Sequence, residues 1–312
     1  MTDQWNVVLA GGGTGGHIIP ALAVADRIRA AGGNVHFVGT RGRIEEKLVP
    51  PAGYPIAFIK VRPLTGGGLL QKGMGVASAP LSVAKSAILL RRLRPDVVMG
   101  VGGYVAGPVV LAARLLGLPT AFLEQNATVG LANRLLKNVV RRAFVSYEET
   151  AAELPAGRAL FTGNPVKQQI LDAARQKTFR TVGENERLRI LVMGGSQGAR
   201  SVDQRVPEAL AQAGLAGRVM VTHQGQAENL DGVRAIYAGA GIEATVVPFI
   251  DDMAQAYLAA DLVVARSGAT TVAEVTVMGL PAVFLPYPHH ADRQQEKNAA
   301  TVMALLREPV RE

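Results

Sequence analysis

The chain predicts an α/β protein built from two doubly wound parallel sheets, and three observations carry that expectation. Short apolar runs rich in β-branched residues alternate with amphipathic stretches throughout, the pattern of strands joined by crossover helices. The pattern restarts after Leu154-Pro155-Ala156-Gly157 and the step Gly163-Asn164-Pro165, so a second sheet is expected to begin near residue 163. Each half opens with a strand that runs into a glycine turn, Gly11-Gly12-Gly13-Thr14-Gly15-Gly16-His17 and Gly194-Gly195-Ser196-Gln197-Gly198. At 312 residues two domains are the soft expectation, here 1–162 and 163–312, and 48% hydrophobic content supplies both cores.

In order, Val7–Ala10, Val35–Val38, Ile56–Val61, Val97–Val101 and Thr120–Leu123 are the expected strands of the first half. Arg189–Met193, Val219–Thr222, Thr245–Pro248, Leu262–Ala265 and Ala282–Leu285 are those of the second. The first glycine turn reads as a diphosphate seat at the start of a helix over Pro20–Ala31, with His17 at its threshold. It also matches G-x-G-x-x-G. A dinucleotide site would place an acidic residue at the end of the second strand, however, and this chain has Val38-Gly39-Thr40-Arg41. A dehydrogenase, with Arg41 on a ribose phosphate, is therefore demoted.

Between Pro63 and Leu90, Leu69, Leu70, Met74 and Val76 stand among Gly66-Gly67-Gly68, Gly73 and Gly75, with Lys72 and Lys85 close by. This reads as a connecting loop, which either meets a lipid interface or packs its apolar residues beneath itself. Gly100–Pro108 is a second glycine turn, suited to a large phosphate group or to close strand–helix packing. Glu124-Gln125-Asn126 ends a strand at the edge where such sheets bind ligands, and is expected to read sugar hydroxyls more than to cap the next helix, for which Thr128 and Asn133 suffice. In the second half Ser196 adds a hydroxyl at a helix entrance, either to a phosphate or as a cap, and Glu274 lies one turn inside the helix opened by Arg266-Ser267-Gly268. His289, His290 and Asp292 match no standard metal spacing, and Gln294 and Gln295 are better suited to sugar hydroxyls.

Composition narrows the classes. There is no cysteine, so disulfides, thiolate nucleophiles and Cys-ligated metals are excluded. The start runs straight into the first strand, so no leader is expected, and the apolar stretch Val97–Leu123 is too interrupted for a membrane span. Residues 1–162 carry 18 Lys and Arg against 9 Asp and Glu, whereas residues 163–312 carry 15 against 16. Only the first half is expected to seek an anionic surface.

Taken together, Gly11–His17, Gly102–Pro108, Glu124–Asn126, Gly163–Val166, Gly194–Ala199, Phe249–Met253, Arg266–Glu274 and Asp292–Gln295 resemble, in order and spacing, the MurG family of bacterial glycosyltransferases. The resemblance covers essentially the whole chain. It implies a GT-B fold, two Rossmann-like domains facing across a cleft, and transfer of N-acetylglucosamine from UDP-N-acetylglucosamine to the muramoyl 4-hydroxyl of lipid I, giving lipid II. No cofactor, metal or nucleic acid is implied. The enzyme would sit peripherally on the cytoplasmic face of the bacterial plasma membrane, its first domain taking the acceptor and the anionic surface, its second the donor. Carried over by residue, Ser196 holds the donor diphosphate, the backbone of Ile250 the uracil, and Glu274 the ribose. Asn126, Gln294 and Gln295 read the sugar, Lys167, Ala269 and Thr270 complete the substrate-binding set, and Thr14, Gly15, Gly16 and His17 line the acceptor side.

His17 is the candidate general base, with binding of the acceptor diphosphate as its alternative role. Three departures from the family stand out: Leu123 where His is frequent, Lys167 where Arg is usual, and an end at Glu312, short of the helices that brace the first domain in relatives. A sugar-nucleotide 2-epimerase and a membrane-bound, non-catalytic UDP-sugar scaffold are the rival readings.

Overall fold

The computed structural model describes residues 4–61, 69–183, 186–195, 198–288 and 292–305. The chain divides into two compact units, Met1–Pro165 and Val166–Glu312.

The first unit carries the strands β1 (Asn6–Gly11), β2 (Asn34–Gly39), β3 (Ile56–Phe58), β4 (Val97–Gly102), β5 (Thr120–Glu124), β6 (Arg142–Val145) and β7 (Ala159–Phe161). They form one parallel sheet in the order β3-β2-β1-β4-β5-β6-β7, so the order in which strands are added reverses between β1 and β4. Its helices are α1 (Gly15–Ala30), α2 (Ile44–Leu48), α3 (Leu69–Leu93), α4 (Ala106–Leu115), α5 (Leu131–Leu136) and α6 (Glu148–Ala152). Alternation along β1 divides the core: Val7 and Leu9 pack with Ile18, Leu22 and Ala25 of α1, whereas Val8 and Ala10 pack with Val109, Val110 and Leu90 on the other face.

The second unit repeats the device with β8 (Leu188–Met193), β9 (Val219–Gln224), β10 (Glu243–Val247), β11 (Leu262–Ala265) and β12 (Ala282–Phe284), in the order β10-β9-β8-β11-β12. Around it lie α7 (Gln168–Gln176), α8 (Arg200–Gln212), α9 (Leu230–Gly239), α10 (Met253–Ala259), α11 (Ala269–Met278) and α12 (Gln294–Leu305). Ile190 and Val192 face Val202, Val206 and Tyr237; Leu191 and Met193 face Ile170, Tyr257 and Met278.

Three expectations are corrected. The helix after the first glycine turn begins at Gly15, not Pro20, so His17 lies within its first turn. The stretch read as a connecting loop contains α3, whose packing against α4 outweighs the low helix propensity of Gly73, Gly75 and Pro80. The side chains of Leu69, Leu70, Lys72, Met74 and Val76 lie outside the described residues. Two short strands, β6 and β7, add to the ten expected. Among the described residues, no helix is long and apolar enough to cross a membrane.

Candidate active site

Each sheet has one point where strand order reverses, β1/β4 in the first and β8/β11 in the second, and open α/β sheets bind ligands in the crevice beyond the strand ends there. At the first, the glycine turn is held from below. Buried Glu45 of α2 accepts hydrogen bonds from the Gly13 N–H (2.9 Å), the Thr40 N–H (3.0 Å) and the Thr40 hydroxyl (2.8 Å). The diphosphate seat read from the sequence is thereby reduced, because the Gly13 N–H already serves a carboxylate of the protein. Thr14, at the N-cap of α1, and Gly16 remain exposed, while Gly15 is buried.

His17 is half-buried, with Nδ1 3.2 Å from the Gly12 carbonyl and 3.2 Å from the Thr14 hydroxyl. Burial pulls its pKa below 6.5, opposed by the Gly12 hydrogen bond and by the charges of Glu124 and Glu45. Burial thus favours the neutral imidazole, the state a base requires.

Glu124-Gln125-Asn126 departs from expectation. Buried Glu124 accepts from the Asn126 N–H (3.1 Å) and side-chain amide (3.2 Å), the Gly130 N–H (2.8 Å) and the Asn133 amide (2.9 Å). Gln125 donates to the Val101 carbonyl at 2.9 Å. The capping role assigned to Thr128 and Asn133 thus falls to Glu124, which meets the N-cap Gly130 of α5. Only Asn126 of the three remains half-exposed. Arg41 pairs with Glu46 at 3.6 Å and covers the Phe58 ring, so it serves the surface beside β3.

In the second unit Ser196 lies outside the described residues, as do His289 and His290. Behind the glycine turn, buried Asp203 of α8 accepts from the Gln226 N–H (3.0 Å) and the Asn229 amide (2.9 Å). Buried Arg266 donates to the carbonyls of Leu285 (2.7 Å) and Pro286 (2.8 Å) and to the Ser201 hydroxyl (2.5 Å), tying β11, β12 and α8 together at their ligand-facing ends. Ala269 and Thr270 form the first turn of α11, both buried, and the Thr270 hydroxyl is without a partner among the described residues.

Glu274, one turn further along α11, accepts a 3.0 Å hydrogen bond from the Tyr257 hydroxyl of α10. Burial raises its pKa, opposed by that bond and by the charge of Lys167, the N-cap of α7. Ile250 packs against the same core, just before α10. Gln295 of α12 is fixed at two points: its side-chain carbonyl accepts the Tyr287 N–H (2.9 Å) and its backbone carbonyl accepts the Ser267 hydroxyl (2.7 Å). The Gln295 amide is thus oriented as a donor, and Gln294 stands beside it at the start of the helix.

Residues 7–145 match the glycosyltransferase family 28 N-terminal domain and residues 189–309 the family 28 C-terminal domain. A UDP-N-acetylglucosamine--N-acetylmuramyl-(pentapeptide) pyrophosphoryl-undecaprenol N-acetylglucosamine transferase of Myxococcus xanthus is 44% identical over 300 residues, covering 95% of this chain and 77% of that protein. The chain belongs to the MurG family. Its fold agrees with the crystal structure of Acinetobacter baumannii MurG at a TM-score of 0.73 and 34% identity, over 96% of this chain and 83% of that one. This member of the MurG family also shares its fold with a UDP-GlcNAc 2-epimerase from Neisseria meningitidis, at 12% identity and a TM-score of 0.58 over 96% of this chain and 91% of that one. Glu45 and Tyr257 went unnoticed in the sequence. Each acts on a residue brought to it by the fold, and neither lies in a motif of chemical character.

Proposed function

We propose that this chain transfers N-acetylglucosamine from UDP-N-acetylglucosamine to the muramoyl 4-hydroxyl of undecaprenyl-pyrophosphoryl-MurNAc-pentapeptide, lipid I, with inversion at the anomeric carbon. The observation that carries the reading is Glu274, a half-buried carboxylate oriented by Tyr257 beside Lys167. One oxygen accepts from tyrosine and the other is left to accept ribose hydroxyls. Ser196 and its loop hold the diphosphate, the Ile250 backbone the uracil, and Ala269 and Thr270 the end of the donor nearest α11. Asn126, Gln294 and Gln295 read the sugar hydroxyls.

The chemistry is one in-line displacement. The muramoyl O4 forms a bond to C1 as the bond from C1 to the β-phosphate oxygen breaks, UDP leaves with the electron pair, and His17 takes the O4 proton. The start of α8 and the N–H groups of its glycine turn stabilise the charge that grows on the diphosphate. Thr14, Gly15 and Gly16 form the acceptor side of His17.

The first unit is also the membrane-facing one, on the cytoplasmic face of the plasma membrane. On α3, Leu81, Lys85, Ile88 and Arg92 follow one another on one exposed face. Leu111, Arg114 and Leu115 do so on α4, and Leu131, Arg134 and Leu135 on α5; α4 packs against both other helices. Apolar residues interleaved with cations are what an anionic bilayer surface binds.

The deciding experiment measures UDP release from UDP-N-acetylglucosamine with and without a lipid I analogue. Release that requires the acceptor is expected. Conversion of the donor to its 2-epimer without acceptor would make the protein an epimerase, and binding without any turnover would make it a scaffold.

A further inference from the structure

Glu45 and His17 are joined through a single peptide group. The Gly13 N–H that donates to Glu45 Oε2 (2.9 Å) and the Gly12 carbonyl that faces His17 Nδ1 (3.2 Å) are the two ends of one amide. A carbonyl only accepts, so this contact places a proton on Nδ1, and neutral His17 carries its lone pair on Nε2. The geometry is tight on both sides. A Cβ on Gly12 would come within 2.2 Å of Glu45 Oε1, so only glycine lets the carboxylate close on this amide.

We propose that Glu45 acts on His17 through the Gly12–Gly13 peptide group, as a positioning residue for the proton transfer. The carboxylate polarises the amide, its carbonyl oxygen becomes a stronger acceptor, and the imidazole is fixed in the tautomer whose Nε2 can take the acceptor's proton. A carboxylate bonded directly to Nδ1 performs this task in hydrolase triads; here an amide stands between the two and passes the polarisation on. The proposal rests on the reading of His17 as the general base.

Other groups around the ring are few in kind. Glu124 on β5 adds a second negative charge, the Thr14 hydroxyl shares Nδ1 at 3.2 Å, and Tyr104 after β4 bonds at 3.3 Å the Thr40 hydroxyl that donates to Glu45. Burial of the imidazole works against both charges.

The test is Glu45→Gln in the full chain, with ring-15N histidine spectra, kcat and the pH profile of kcat/KM recorded on both proteins. In the parent, neutral His17 is expected as the Nδ1-protonated tautomer. In the variant its pKa should fall by about one pH unit, as for loss of a nearby opposite charge. The acid limb of kcat/KM should fall with it and kcat drop about tenfold, with the affinity for UDP-N-acetylglucosamine unchanged.

A folded variant whose His17 keeps its pKa and tautomer overturns the proposal, even if kcat falls, because a purely structural glutamate would produce that result. An Nε2-protonated ring in the parent overturns it without any variant. If His17 titrates as expected but the kcat/KM profile does not follow, the relay stands and the base assignment fails.

Discussion

At Gly102 the backbone has φ +108° and a Cβ would lie 2.4 Å from His17 Cδ2. Gly102→Ala therefore strains the backbone and displaces the imidazole together. It should lower kcat tenfold or more, an order-of-magnitude figure for a misplaced base, and leave UDP affinity intact, as a turnover assay and a calorimetric titration would show. Glu274→Ala should weaken UDP-N-acetylglucosamine binding by about 1.5–3 kcal/mol, and Tyr257→Phe by about 0.5–1.5 kcal/mol, the ranges for charged and neutral hydrogen bonds. Unchanged affinity in the first variant would move the ribose elsewhere. Because burial depresses His17 below 6.5 in the free enzyme, the acid limb of kcat/KM should also fall below that value, and a limb above it would count against His17 as the base. His17, Glu274 and Gln295 could be singled out as candidates because each stands in the first turns of a helix that follows an apolar strand, at the edge where such sheets bind ligands. Glu124, at the same edge, misled: its partners Gly130 and Asn133 return to it only through a turn that residue order does not disclose.

Among the elements, α3 has the most to test. Replacing Leu81, Ile88 and Leu115 by Ser should reduce co-sedimentation with anionic vesicles while leaving the melting temperature and UDP affinity near those of the parent, because all three side chains are exposed. A fall in melting temperature instead would mean that they pack. At the starts of β8 and β11, Asp261 is pulled in two directions. Burial raises its pKa, but hydrogen bonds from Arg189 (2.9 Å) and Arg180 (2.7 Å) outweigh it and hold the carboxyl well below its ordinary 3.8. A depressed carboxylate contributes stability above its unfolded pKa, and that contribution disappears as pH falls below about 4 towards the folded pKa. The denaturation midpoint of Asp261→Asn should accordingly lie below the parent's at pH 7 and approach it in acid. Ten strands were legible from β-branched runs. The others, β6 behind Arg141-Arg142 and three-residue β7 at the sheet edge, are too short or too charged to stand out, and α3 was hidden by glycines and Pro80 whose cost its packing offsets.

On the scale of the molecule, the two units have separate cores, and the one tryptophan, Trp5, belongs to the first. Tryptophan fluorescence thus reports the first unit, whereas far-ultraviolet dichroism reports both. UDP at a hundredfold excess over its Kd should stabilise the second unit by about 2.7 kcal/mol, moving the dichroism transition and leaving the fluorescence transition in place. Coincident shifts in both probes would mean that the units unfold together. The reversal of strand order at β1 matters earlier still, while the chain is being made. β1 pairs on one side with β2, which follows at once, but its other edge waits for β4, with Val7 opposite Val97. A ribosome adding roughly 5–20 residues each second leaves that edge bare for several seconds. During that interval it is an unpaired strand open to any neighbouring nascent chain. Slower elongation between the codons for β3 and β4 would therefore lower the soluble yield while leaving the finished protein as stable as before.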